Sequence, residues 1–174
     1  MAHMERVWMF EHLAVTVERI DFLDPAVASE PDPRERGVRI EVRPVSTYAA
    51  GSIYASATHT LQPAVCRIDF LESAPGAADR MHWHPDMVDG EPGERTFDRS
   101  MPPDPAGWLT TFLREGLGGF VALAGTPDGG PDADLAAIGA TADEIAEAVR
   151  EGLVWAREPW PDVDQDERGM AVAR

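Results

Sequence analysis

Apolar and polar positions alternate strictly in GVRIEVRP (Gly37 to Pro44), where Val38, Ile40 and Val42 interleave with Arg39, Glu41 and Arg43. A period of two predicts a half-buried β-strand. SIYASATHTL and AVCRIDFL, rich in β-branched and aromatic residues, continue the strand pattern on either side of Gln62-Pro63. EPDPRERG (Glu30 to Gly37) reads as a polar loop. After Met101 the period lengthens. In PPDPAGWLTTFLREGLGG, Asp104 is an N-cap and Pro105 suits the first helical position. Trp108, Leu109, Phe112, Leu113 and Leu117 form one buried stripe, and Gly118-Gly119 mark its end. FVALAG reads as a short strand and GTPDGGPD as a flexible turn. The capping box Thr141-x-x-Glu144 predicts a further helix carrying Ile145, Ala148, Val149, Leu153 and Ala156 on one face. The pattern as a whole predicts an α+β fold: an antiparallel β-sheet, open or barrel-like, from the N-terminal half, packed by two or three C-terminal helices. Residues 1–157 form one such domain. Residues 158–174 are an acidic, proline-containing tail, flexible or docking Trp160 on a partner.

One short repeat stands out. RIDFLD (Arg19 to Asp24) recurs as RIDFLE (Arg67 to Glu72), and each copy is followed by a run that starts with arginine and ends with proline, RIEVRP and RMHWHP. Either strands draw here on a small alphabet, or a β-hairpin was duplicated and the second copy carries His82 and His84 where the first has Glu41 and Arg43.

Charge narrows the partners. The 174 residues carry a formal net charge of −16, which repels phosphate backbones and anionic lipid, so neither nucleic acid nor membrane is expected. No apolar run approaches the roughly 18 residues of a membrane span. No secretory leader is evident, and the single cysteine, Cys66, in an apolar run, fits a buried thiol in a cytoplasmic protein. All basic residues are arginine; lysine and asparagine are absent. That excludes a lysine Schiff base, a P-loop and N-glycosylation.

The chemistry concentrates in RMHWHP. On a strand, Arg80, His82 and His84 share one face and Met81 and Trp83 the other. Same-face neighbours lie roughly 7 Å apart, close enough for two imidazoles to converge on one ion. A hairpin with AVCRIDFL that joins Leu71 to Arg80 sets Asp69 opposite His82 and Arg67 opposite His84. Its other face then pairs Phe70 with Met81 and Ile68 with Trp83, and a one-residue slip would mix the faces. Two histidines and a carboxylate are a ligand set for Fe(II), Mn or Zn with positions left for substrate. His59 is a candidate third imidazole. Glu94 and Asp98, in the long acidic loop that follows, are candidate carboxylates, Glu94 as ligand or general base. Arg80 and Arg67 are placed to orient a small anionic substrate. The alternative is a sheet face on which Asp69 pairs with Arg67 or Arg80 and the histidines meet water.

GAADRMHWHP resembles the first metal motif of the cupins: Gly76, five residues, then His82-x-His84. Where that family has a glutamate three or four residues on, this chain has Asp89, and the second cupin motif has no counterpart. The resemblance, covering about a tenth of the chain, implies His82 and His84 as metal ligands inside a β-barrel. DLAAIGATADEIAEAVREG resembles a DNA-binding helix-turn-helix with Gly139 at the turn. Leu135 stands where a small residue belongs, and Asp143, Glu144, Glu147 and Glu151 would face phosphates with the wrong sign. A plain helical hairpin is therefore expected there.

The leading expectation is a small-molecule enzyme with one divalent transition metal held by His82, His84 and Asp69. The rival is a non-catalytic ligand-binding or protein-interaction module. An acidic chain with exposed tryptophans suits a homo-oligomer in either case.

Overall fold

The computed structural model describes residues 5–24, 33–123, 131–168 and 170–174. The N-terminal half forms an antiparallel sheet. Strands β1 (Glu5–Met9), β2 (Leu13–Leu23), β3 (Arg34–Tyr48), β5 (Cys66–Glu72) and β6 (Arg80–His84) lie side by side in the order β1-β2-β3-β5-β6. Strand β4 (Thr58–Leu61) pairs the far end of the long β3. Helices follow, so the fold is α+β as expected. The sheet is open, ending at β1 and β6, so the barrel-like alternative, and with it the barrel that the cupin resemblance implied, does not hold.

Alternation sorts the sheet into two faces. Val15, Val17, Val38, Ile40, Val42, Ile68, Phe70 and Met81 are buried on one face. They meet helix α1 (Pro105–Thr111) and the long helix α3 (Pro131–Ala156). Ile138, Ala142, Ile145, Val149 and Leu153 recur on the 3.6-residue period and are all buried, each large aliphatic contributing about 1.5–3 kcal/mol. Gly152 permits the closest approach: a Cβ there would lie 2.5 Å from Val38 Cγ2. The opposite face carries Arg39, Glu41, Arg67, Asp69, His82 and His84, and two of its elements, β3 and β5, meet at Gly37. A Cβ on Gly37 would stand 2.0 Å from the Phe70 carbonyl oxygen, which no side chain tolerates.

Four local expectations change. β3 starts at Arg34, not after Gly37. The polar composition of RERG suggested a loop, but Arg34, Glu35 and Arg36 are buried with charged or aromatic partners across the sheet. Gly118-Gly119 do not end the helix, and FVALAG is not a strand as far as it is described. The chain passes from α1 through a π-helical turn (Phe112–Gly116) into α2 (Leu117–Leu123), because Leu113, Leu117 and Val121 continue one buried stripe. Thr141 starts no helix, and neither a helix-turn-helix nor a helical hairpin forms: α3 runs unbroken through Gly139 and Thr141. Thr141 Oγ1 donates back to the Ala137 carbonyl at 2.8 Å, and Ile138, Ala142 and Ile145 keep one face buried across the supposed turn. Asp104 does cap α1, accepting from Gly107 N at 3.0 Å. Most of GTPDGGPD lies outside the described residues. Past α3, β9 (Val163–Gln165) pairs with β10 (Ala171–Ala173), and Trp160 lies under the Arg34 guanidinium at 5.1 Å.

Candidate metal centre

β5 and β6 pair in the register drawn from their patterns, Asp69 opposite His82, Arg67 opposite His84 and Ile68 opposite Trp83. The polar face of this hairpin is not solvated. Asp69, His82 and His84 are 2%, 1% and 4% exposed, shielded by the acidic loop that returns over β6. That loop includes a short hairpin of β7 (Met87–Val88) and β8 (Glu91–Pro92). Thr96 then bridges the outer edge of Trp83, and the Phe97 ring lies 5.8 Å from the His82 ring.

Both histidines are oriented by backbone. His82 Nδ1 is 2.9 Å from the Arg80 carbonyl oxygen, and His84 Nδ1 is 3.0 Å from that of Gly93. A carbonyl only accepts, so each Nδ1 carries the hydrogen and each neutral ring presents a bare Nε2. Those two Nε2 atoms face one carboxylate oxygen, Asp69 Oδ2, at 3.6 and 3.9 Å. Burial holds both imidazoles below their ordinary pKa against the pull of Asp69, which favours the neutral form. Burial alone would raise Asp69, but the Arg39 guanidinium outweighs it and keeps the carboxyl below its usual range. Three lone pairs thus converge, all within 4.8 Å of one another, with no proton among them. The cluster can hold a metal ion. Such an orienting hydrogen bond behind each ligand is the usual support of a metal-binding histidine.

No family model matches this chain, and comparisons with curated proteins and with solved structures find no match either. The site is therefore read from its own geometry.

The arginine that holds Asp69 is not one the sequence pointed to. Asp69 pairs with neither Arg67 nor Arg80. Arg39 donates to it bidentately, Nε to Oδ1 at 2.8 Å and Nη2 to Oδ2 at 3.2 Å. Arg67 lines the same cleft and donates to Glu41 at 2.7 Å, while Arg80 reaches Glu35 at 3.0 Å. Glu94 is exposed and does not line the cleft; its neighbours Gly93 and Arg95 do. The loop thus contributes a carbonyl and a cation where carboxylates were expected. Asp98 accepts from Trp108 Nε1 at 3.0 Å, and Asp89 is exposed. His59 is exposed on β4, 3.0 Å from Thr47 Oγ1, and joins a separate groove with His12. Neither His59, Glu94 nor Asp89 belongs to the cluster, because β4 pairs only the distal end of β3 and the loop turns its acidic side chains outward. Sequence reasoning missed Arg39, Glu35 and Arg95. Arg39 and Glu35 share parity in RERGVRIE, a signal obscured by reading its first half as a loop. Nothing local marks Arg95.

The cleft in front of these groups has a volume of about 270 Å³. Cys66, on the opposite face of β5, takes no part: burial pushes its thiol up to about 12. No helix among the described residues is long and apolar enough to cross a membrane.

Proposed function

We propose that this chain is a mononuclear metal protein acting on small anionic molecules, with a divalent transition metal (Fe, Mn or Zn) held by His82 Nε2, His84 Nε2 and Asp69 Oδ2. One observation carries this reading. Two imidazoles locked by backbone carbonyls present unprotonated nitrogens to the same carboxylate oxygen. Arg39 donates to Asp69 from one side, but the two imidazole nitrogens bring no hydrogen to the carboxylate oxygen they face, an arrangement that a cation between them stabilises. Imidazole and carboxylate suit those metals, and three protein ligands leave coordination positions for substrate.

A bound ion supplies Lewis acidity at the cleft wall. The chain's own residues do the rest. Arg39 holds Asp69 ionised and aimed, and the Arg80 and Gly93 carbonyls fix the imidazole planes. Around the cleft, Arg39, Arg67 and Arg95 balance Asp24, Glu35 and Asp69 in formal charge. Adding a divalent cation makes the lining positive, which favours an anionic ligand.

Metal analysis of protein purified without a histidine tag tests this directly. One equivalent of transition metal is expected, lost in His82→Ala and His84→Ala and restored to neither by dialysis against the metal. Metal-free protein whose melting temperature ignores both added ion and chelator would end the proposal.

A further inference from the structure

The cleft has a second polar end that the metal cluster does not use. Glu35 lies on β3 four residues before Arg39, on the same face and roughly 13 Å away along the strand. It is 0% exposed. Its Oε1 accepts from Arg80 Nη1 at 3.0 Å, with Arg95 Nη1 at 3.8 Å. Its Oε2 is buried and has no hydrogen-bond partner among the described residues. Leu71, opposite Gly37 and so between the two ends, and Phe22, directly opposite Glu35, line the cleft with apolar surface. A buried carboxyl with one satisfied and one idle oxygen is costly as a fixed structural element, and it is what a ligand's missing group leaves behind.

We propose that Glu35 is a ligand-binding residue whose Oε2 hydrogen-bonds the far oxyanion of a small dicarboxylate, the near carboxylate of which sits at the metal. The proposal rests on the metal reading above and adds the class of ligand. Which atom donates follows from the contacts. Oε1 already accepts from Arg80, so the hydrogen of the carboxyl form belongs on Oε2, left to serve an acceptor that a ligand brings. Burial raises the Glu35 pKa, and Asp24 raises it too, against Arg80 and Arg95, so the carboxyl form persists to higher pH than in a free glutamate. A carboxyl donating to a carboxylate is a charge-assisted hydrogen bond, stronger than a neutral one. Arg95, which donates to Asp24 at 2.9 Å and is 37% exposed at its side chain, adds positive charge beside that end. The 270 Å³ volume equals about nine waters of liquid, room for a four-carbon diacid.

Succinate and butyrate separate the two ends, since they share length and one carboxylate. Binding of each is read from the visible absorption of the Co²⁺-loaded protein, in wild type, Glu35→Gln and Glu35→Ala. The ratio of succinate to butyrate affinity isolates the far end. In wild type it should exceed about tenfold and fall as pH rises through the raised Glu35 pKa. In Glu35→Gln, whose amide still donates, it should persist but lose its pH dependence; in Glu35→Ala it should collapse toward one. Equal ratios and pH slopes in all three proteins, or a ratio near one in wild type, overturn the proposal while the Co²⁺ band survives. Absence of any Co²⁺ band that His82→Ala abolishes overturns the metal reading, and this inference with it.

Discussion

Two nearly identical hexapeptides flank the central strand, and they do opposite things. Arg19–Asp24 lies in β2 and Arg67–Glu72 in β5, each paired antiparallel with β3. Each aspartate receives a bidentate arginine from β3. Arg34 donates to Asp21 at 2.8 and 2.7 Å, and Arg39 to Asp69 at 2.8 and 3.2 Å. But 34 and 39 differ by an odd number, so the two pairs project from opposite faces. On the helix side, Asp21 and Arg34 join an ionic and aromatic cluster. Arg36 stacks over Trp155 at 4.0 Å and Arg34 donates to the Pro161 carbonyl, tying the sheet to the end of α3. On the other side, the carboxylate that matches Asp21 meets two imidazoles and a cleft. The hairpins are not equivalent either: Asp21 opposes Arg36, whereas Asp69 opposes His82. The pairing implied by a duplicated hairpin, Glu41 in the place of His82, is absent. A short sequence thus acquires its chemistry from register, not from its own letters.

The strongest way to break the comparison is at Gly37, which sits between Ile20 of β2 and Leu71 of β5. Gly37→Ala forces a Cβ into the Phe70 carbonyl and should cost about 4 kcal/mol or more. Urea titration followed by circular dichroism checks this; a loss under about 1 kcal/mol would show that the strands can part without penalty. Next, the two aspartates should separate stability from metal binding. Asp69→Asn and Asp21→Asn each strand an arginine and should destabilise, Asp69→Asn by about 3–5 kcal/mol and Asp21→Asn by less because it is partly exposed. Only Asp69→Asn should weaken metal binding, by more than about 100-fold. Equal metal affinity in both variants would deny that the faces differ in function.

A smaller effect concerns pH. Burial holds the Glu35 pKa above its ordinary value of 4.5 in the folded protein, so the native state keeps a proton that the unfolded chain releases. The stabilisation is complete below pH 4.5 and is lost as pH rises through the folded value. Glu35→Gln removes this dependence, so its stability should fall less than that of wild type between pH 4.5 and 8. Parallel curves from chemical denaturation at both pH values would contradict it. The least effect is expected at Cys66, beside Arg67 but on the dry face. Cys66→Ala should cost about 1 kcal/mol and leave metal affinity untouched. Thiol labelling of wild type should proceed only at the rate of unfolding, and fast labelling of folded protein would place Cys66 outside the core.

Much of the site was legible because it is local. The alternation of RMHWH and CRIDF sets which side chains share a face; a two-residue shift would keep those faces, and the short loop selects the register that puts Phe70 on Met81 and Ile68 on Trp83. That is why the two histidines and the aspartate could be brought together from pattern alone. The helices were less legible where their signals conflict. Gly118-Gly119 and Thr141-x-x-Glu144 are genuine stop and start signals, but a continuous buried stripe outweighs a local cost near 1 kcal/mol per glycine. RERG was misread because a run of charges looks like a loop until its partners are known. Arg34 and Arg36 are buried only because Asp21 and Trp155 wait across 13 residues in one case and more than a hundred in the other.

By itself the sequence determined the class of fold, the dry and polar faces of the β5–β6 hairpin, and the register that sets Asp69 opposite His82, since all three follow from the two-residue period and nearest pairing. Tertiary structure alone decided the rest. It chose Arg39 as the partner of Asp69, set Glu35 and Arg95 at the far end of the cleft, and withheld Glu94 and His59. Those outcomes depend on where a third strand and a returning loop come to lie, and no local periodicity encodes the distance between groups that meet only after the chain has folded.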